Sequence, residues 1–134
     1  MQRNDDTGKL ILRLTIGILL LMHGLFKLMN GTPGISALVL ANGWPVWVAY
    51  GVYIGEVLAP ALIIIGLLTR LGAAVIVINM IVAVHLAHGA QLFQISKSGG
   101  WLLETQALYL FGALAIALLG AGRFSLGGPT GRFN

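Results

Sequence analysis

A mostly apolar run near the start of the chain, residues 10–29, constrains the fold more than any other feature of the sequence. A helix of about 20 such residues crosses the hydrocarbon core of a bilayer. The run nevertheless contains Arg13, His23 and Lys27. Ionisable side chains in hydrocarbon are costly unless they face a protein interior or an interface. We therefore predict a transmembrane helix with one polar face that packs against the rest of the protein.

Four segments of this kind occur, at about residues 10–29, 46–68, 71–90 and 102–120. Because every backbone polar group in lipid must be paired within the protein, each segment is predicted to be a helix. Hydrophobic residues make up 57% of the 134 residues and charged residues only 9%, which excludes an ordinary soluble domain. The sequence predicts an all-α membrane protein: one domain over residues 1–134, folded as an antiparallel bundle of four transmembrane helices.

The connections between these segments also carry structural signals. Residues 30–45 are bounded by Asn-Gly and Gly-Trp-Pro sequences, which break helices. Between these breakers, Ile35, Leu38 and Val39 can share one face, which predicts a short interfacial helix between the first and second spans. Residues 68–71 are predicted to form a tight turn with Arg70 at its tip.

The basic residues indicate an orientation for the bundle. With four spans, the N-terminus, the turn at Arg70 and the glycine-rich, irregular tail 121–134 share one side. Only Lys27 and Lys97 fall on the other side. The positive-inside rule therefore predicts that both termini are cytoplasmic. The basic residues on the shared side are Arg3, Lys9, Arg13, Arg70, Arg123 and Arg132.

Two compositional facts exclude whole classes of function. The chain has no cysteine, which removes disulfides, thiol relays, Fe–S clusters and covalently attached haem. Its net charge of +4 is the difference between eight scattered Lys and Arg residues, which form no basic patch, and four Asp and Glu residues. The charge therefore indicates membrane topology, and no nucleic-acid partner is predicted.

Polar residues are predicted to gather in the outer half of the bundle. Glu56 lies about ten residues into the second span, near mid-membrane at a rise of about 1.5 Å per residue. The inner half offers only Asn79 and the boundary arginine Arg13. The residues expected in the outer half are His23, Lys27, Glu56, His85, His88 and Glu104.

Glu56 is the strongest candidate for function. Pro60, four residues later, cannot donate a hydrogen bond to the Glu56 carbonyl, which leaves that oxygen free. A carboxylate and a free carbonyl at one depth favour a ligand, a proton or a partner such as Lys27 or His23. The competing interpretation is an ion pair that only fixes helix register. His85 is open in the same way, between a ligand contact and an ordinary hydrogen-bonding residue.

Five stretches together resemble the DoxX family over nearly the whole chain. They are RLTIGILLLMHGLFKL, GEVLAPALIIIGLLTRLGA, VHLAHG, GGWLLE and LLGAGRFSL, in this order. The resemblance implies a multi-pass protein of the bacterial inner membrane. Gly127 stands where an Asp often follows the Ser-Leu pair, so any role of that Asp is absent. The resemblance also implies family-typical positions for Arg13, His23, Lys27, Glu56, Arg70, His85 and Glu104.

What the resemblance implies for activity is a link to redox chemistry. Some members are similar to the small membrane subunit of a thiosulfate:quinone oxidoreductase, and others to membrane partners of soluble redox or detoxifying enzymes. Besides the lipid bilayer, a quinone, a redox protein and a second copy of the chain are therefore the candidate partners. The predicted catalytic residues are Glu56, His23 and His85. The predicted cofactor-binding residues are His23, Lys27, Glu56, His85 and Glu104.

Several functions stay open at the level of the sequence. In a quinone-binding redox subunit, His23 or His85 would donate to a carbonyl oxygen and Glu56 would relay protons. The alternatives are a non-catalytic scaffold for soluble redox enzymes and a bundle that binds metal or haem. A small-solute transporter is a further alternative, although four helices are few for alternating access and no inverted repeat is evident. The spacing matches no recognised metal motif, so no metal ligand is assigned. Whether the chain is itself an enzyme also stays open.

Overall fold

The computed structural model describes residues 2–134, with side chains from Asn4 onward, so the Arg3 side chain lies outside the described part. The predicted all-α class is confirmed. Within the described residues no strand forms, and β-pairing is limited to one isolated bridge between Ile95 and Trp101. The helical segments are α1 (Gln2–Asn30), α2 (Pro33–Ala41), α3 (Val46–Ile65), α4 (Thr69–His88) and α5 (Glu104–Leu119).

The helices match the predicted apolar segments, with differences at their ends. The segments Asn4–Asn30, Val46–Ile65 and Thr69–Gln91 are long and apolar enough to cross a membrane, whereas Glu104–Leu119 is shorter. The first helix begins at Gln2, well before residue 10, so a polar N-terminal stretch and the apolar run form one continuous helix. Asp5 lies in its first turn, where a negative charge interacts favourably with the helix dipole.

The predicted turn at residues 68–71 was wrong in its position. α3 already ends at Ile65, because Gly66 adopts a left-handed φ of 74°. Leu68 is also left-handed, with a φ of 49°, and α4 begins at the next residue. Arg70 therefore lies in the first turn of α4 and not at the tip of a turn.

A short helix forms where the sequence predicts one between the first two spans. α2 begins with Pro33, whose fixed φ suits the first helical position. Gly31 and Gly43 flank it, with left-handed φ values of 75° and 74°. Its location at a membrane interface stays a prediction.

The third helical segment is not uniform. It starts as a 3-10 helix over Val46–Tyr50, and a π-helical turn occupies Ile54–Leu58. In this turn the Ala59 N–H donates to the Ile54 carbonyl, five residues earlier. Because Pro60 has no N–H, the regular helical hydrogen-bond pattern is interrupted here, and the π-helical turn replaces it. Such turns are frequent at functional sites, and this one carries Glu56.

Glycines bring α1 and α3 into close contact. A Cβ on Gly24 would overlap the Glu56 carbonyl, and a Cβ on Gly17 would lie 3.2 Å from the Pro60 carbonyl oxygen. These glycines thus allow close contact between α1 and α3, in the manner usual for membrane helices. The buried core between the helices consists of Ile16, Leu20, Ala59, Ile63, Ala73, Ile76, Met80, Ala113 and Ile116.

Arginine side chains hold the C-terminal tail against one end of the bundle. Arg13 is only 1% exposed. Its guanidinium donates to the Ala121 carbonyl at 2.5 Å and to the Phe124 carbonyl at 2.8 Å. Arg70 donates to the Asn134 carbonyl oxygen of the tail at 3.1 Å and to the Ala117 carbonyl of α5 at 2.9 Å. Arg13, expected as a boundary anchor, is therefore a buried link between α1 and the tail.

Candidate functional site

A cavity of about 470 Å³ lies at the opposite end of the bundle from the tail. All five helical segments contribute to its wall, and most of the lining side chains are apolar. Its volume lies within the range of about 300–1,000 Å³ that is usual for small-molecule sites. The polar or ionisable side chains that line it are His23, Lys27, Glu56, Asn79, His88, Thr105, Gln106 and Tyr109.

Glu56 carries the charge at the centre of this wall. Its side chain is 6% exposed, and its Oε2 lies 2.5 Å from the Lys27 Nζ. Its other oxygen, Oε1, accepts a hydrogen bond from the Asn79 Nδ2 at 3.4 Å. An isolated buried carboxylate would be very costly, so the ammonium and amide stabilise its charged form. Of the two partners considered in the sequence, Lys27 is the one that the structure pairs with Glu56.

Two glycines make this arrangement possible. Gly24 lets the backbone of α1 approach Glu56, which places Lys27 one turn further along α1 within reach of the carboxylate. Gly55 provides the space for Asn79, since a Cβ there would overlap the Asn79 side chain. Both partners of Glu56 therefore depend on a neighbouring residue that has no side chain.

His23 lies on the same cavity, as the sequence predicts, but not in the ion pair. Its ring meets the Tyr109 ring edge-on, with the ring centroids 6.0 Å apart. Tyr109 comes from α5, so this contact joins the first and last helices of the bundle. A ring nitrogen and a phenolic hydroxyl are thereby added to the wall.

A second polar group lies at the α4–α5 end of the cavity. The His88 Nδ1 lies 2.8 Å from the Gln91 Oε1, and the His88 Nε2 lies 3.4 Å from the Gln106 Nε2. Within the described residues, the buried Gln106 Oε1 has no hydrogen-bond partner. This carbonyl is an acceptor that a donor entering the cavity could satisfy.

The structure separates two predicted residues from this site. His85 stacks on Trp44, with centroids 5.8 Å apart and an angle of 20° between the ring planes. Glu104 is an exposed residue at the start of α5. Among the described residues, neither belongs to the cavity lining. Their assignment to the cofactor site stays a prediction without a cavity contact behind it.

Sequence reasoning missed four polar residues of the cavity lining, which are Asn79, Thr105, Gln106 and Tyr109. Asn79, expected in the other half of the bundle, donates instead to Glu56. The available signal was that an amide in a long apolar segment needs a partner. Gln106 and Tyr109 lie three residues apart at the start of α5, and their shared polar face was the signal for them.

The described residues contain no group of three or more His, Asp or Glu side chains placed to hold a metal ion. The ionisable side chains of the cavity pair with each other or with neutral groups instead. What this wall offers chemically is an ammonium, a carboxylate, amides, imidazoles and a phenol around an apolar space.

An all-helical chain with three helices long and apolar enough to cross a bilayer is a helical membrane protein. The chain belongs to the DoxX family, because the model of that family matches residues 8–89, more than half of the chain. The match runs from α1 to the end of α4. The stretches GGWLLE and LLGAGRFSL, at α5 and the tail, lie beyond it. No curated protein and no solved structure matches the chain.

Proposed function

We propose that the cavity binds a quinone headgroup, and that the protein is a redox-linked subunit or accessory of a quinone-dependent oxidoreductase. One observation carries the proposal: a ligand-sized, mostly apolar cavity has a buried carboxylate–ammonium pair in its wall. The apolar side chains suit a ring and its hydrocarbon tail. The charged pair suits a headgroup that takes up protons.

The chain's own groups would serve this chemistry as donors and proton holders. A bound quinone supplies the acceptor, which takes two electrons and two protons to become a quinol. Lys27, 28% exposed at its side chain, has N–H groups beyond the one directed to Glu56 and can donate to a carbonyl oxygen. His23, on the same cavity, is the second donor. The chain has no cysteine to carry electrons, so a redox protein or a reduced substrate must supply both of them.

We also propose the membrane arrangement. Four spans, with both termini in the cytoplasm of a bacterium, would put the cavity in the outer half of the inner membrane. The contacts of Arg13 and Arg70 with the tail support this, since they gather basic residues at the end opposite to the cavity. α5, at 16 residues, would be about 24 Å long, and the apolar residues just before it would complete the fourth span.

A second candidate function is a non-catalytic membrane scaffold for soluble redox enzymes. The observation in its favour is that both Glu56 oxygens already have partners within the protein. In a scaffold, the polar cluster would only hold the helices in register. Quinone binding distinguishes the two functions, because a scaffold has no need of it.

Glu56→Gln is expected to weaken quinone binding about tenfold or more, because charge-assisted hydrogen bonds contribute about 1.5–3 kcal/mol each. Without the carboxylate, Lys27 loses the anion that holds it against the cavity wall. The measurement is the quenching of tryptophan fluorescence by a short-tailed benzoquinone or naphthoquinone, titrated into protein in lipid nanodiscs.

Asp5→Asn is the control, since it also replaces a carboxylate by an amide, at an exposed residue in the first turn of α1 outside the cavity lining. It is expected to bind quinone like the parent. A parent protein without saturable quenching would contradict the proposed function. If Glu56→Gln lowers thermal stability and leaves quinone affinity at the parent value, the polar cluster has only a structural role.

A further inference from the structure

We propose that α2 is a gate through which the cavity takes its ligand from the bilayer, and that the stacking of Trp44 on His85 holds the gate closed. The inference rests on the proposed function and extends it. It specifies the ligand as an amphipathic, lipid-soluble molecule with a polar ring and an apolar tail, and it specifies the route of entry.

α2 covers one side of the cavity. Ile35, Leu38 and Val39 all line the cavity, and Val39 has an exposed fraction of 0%. The opposite side of the helix is open, since Leu40 is 60% exposed. α2 thus separates the cavity from the surroundings of the bundle with a single layer of apolar side chains. A displacement of this helix would open the cavity sideways.

α2 has no hydrogen bond to the other helices within the described part of the chain. In the described part of the chain, the hydrogen bonds made by residues 32–44 all run within that segment, for example from the Ser36 N–H to the Thr32 carbonyl and from the Trp44 N–H to the Val39 carbonyl. These bonds move with the helix. α2 can therefore leave the bundle as a unit without breaking a hydrogen bond to another helix.

A glycine with a left-handed backbone lies near each end of α2. Gly31 and Gly43 both have left-handed φ values, of 75° and 74°. A Cβ on Gly43 would meet no atom within 4 Å, and one on Gly31 would meet only the Pro33 Cδ at 3.8 Å. Packing therefore does not require glycine at either position, whereas the backbone conformation does. Gly31, just before the moving segment, is suited to absorb the backbone rotation of a hinge. Gly43, inside the segment, forms the turn that keeps Trp44 attached to α2.

Trp44 is the latch of the gate. It lies three residues after the end of α2 and donates its N–H to the Val39 carbonyl. Its ring lies 20° from parallel to the His85 ring of α4 at a centroid distance of 5.8 Å. This geometry is a favourable stacked arrangement. It ties the moving segment to a long helix at the rim of the cavity. His85, predicted from the sequence to contact the ligand, is thereby assigned to the gate.

The ligand class follows from what surrounds the opening. The cover is apolar on its inner face, and Leu40 is apolar on its outer face. A charged, water-soluble molecule would have to lose its hydration along this route, whereas an apolar tail would not. The buried pair of Glu56 and Lys27 then receives the polar ring. The expected ligand therefore partitions into the bilayer before it binds.

The test measures the rate at which a preloaded long-tailed quinone leaves the protein in lipid vesicles. Trp44→Ala is expected to raise this rate roughly fivefold, which corresponds to the loss of one aromatic pair. Trp47→Ala, at a 69% exposed residue outside the cavity lining, is the matched control and is expected to leave the rate unchanged. His85→Phe, which keeps a stacked ring, is expected to keep both the rate and the affinity.

A second pair of variants tests the turn at Gly43 that holds Trp44 in place. Gly43→Ala places a side chain on a left-handed backbone and is expected to raise the rate roughly fivefold or more, because it strains the closed form. Gly34→Ala adds the same methyl group to α2 at a position with equally open space and no positive φ. It is expected to leave the rate unchanged.

A cross-link keeps the test valid if a substitution disturbs folding. Because the chain has no cysteine, Trp44→Cys and His85→Cys can be joined selectively by a short bismaleimide. The joined protein is expected to exchange quinone more than tenfold more slowly than the same variant modified with a single-ended maleimide. Equal rates would overturn the gate and leave the proposed function standing. A parent protein that binds no quinone would overturn the proposed function, and the gate with it.

Discussion

Replacing Gly24 with alanine is expected to lower the free energy of unfolding by about 3 kcal/mol, at the upper end of the usual cost of overpacking. The new methyl group would overlap the Glu56 carbonyl oxygen, which belongs to the backbone and cannot turn aside as a flexible side chain can. α1 and α3 would have to separate. That separation would pull Lys27 away from Glu56 and loosen one wall of the cavity. Unfolding in mixed micelles of increasing SDS content measures the loss.

Gly8→Ala is the control on the same helix, because a Cβ there would meet no atom within 4 Å. It is expected to be neutral or stabilising by about 0.5–1 kcal/mol, the usual gain from glycine to alanine within a helix. Equal stability changes for the two variants would show that α1 and α3 do not pack as closely as described.

Replacing Lys27 with methionine is expected to have the second-largest effect on stability, about 2 kcal/mol. Removal of one member of a buried pair leaves the other charge without compensation, and Glu56 is only 6% exposed. Because the Lys27 side chain is 28% exposed, the pair is partly solvated and the cost falls below that of a fully buried one. Unfolding in the same mixed micelles provides the measurement.

The double variant Lys27→Met with Glu56→Gln is expected to recover part of this loss, because a neutral pair replaces an uncompensated charge. Lys97→Met is the matched control, at an exposed residue in the connection between α4 and α5. Additive effects of the two single substitutions would contradict the ion pair.

The fold was largely predictable because membrane helices follow from apolar length alone. The helix boundaries were less predictable, since backbone conformations decide them. Gly66 ends α3 and Leu68 precedes α4, so the turn lies at residues 66–68. Nothing in the apolar pattern distinguishes Gly66 from the glycines that lie inside helices. The polar start of α1 was missed for the opposite reason: hydropathy does not reveal a helix that continues outside the lipid.

Depth placed both Lys27 and His23 near Glu56, but it did not decide between them, because the rotation of each helix was not predictable. His85 and His88 are three residues apart, which leaves them about 60° apart around the helix axis. That angle is enough for His88 to face the cavity while His85 faces Trp44. Sequence spacing gives which residues are neighbours on one helix. It does not give which other helix they meet, and this is why His85 was assigned to the ligand.

The most direct test of the quinone site is the content of the protein purified from its own membranes. Lipid-soluble molecules extracted from the parent and from Glu56→Gln are separated and quantified against the bulk membrane lipid. The parent is expected to carry close to one quinone per protein chain, and Glu56→Gln several-fold less. A quinone content in the parent no higher than that of the surrounding lipid would contradict the assignment of the cavity.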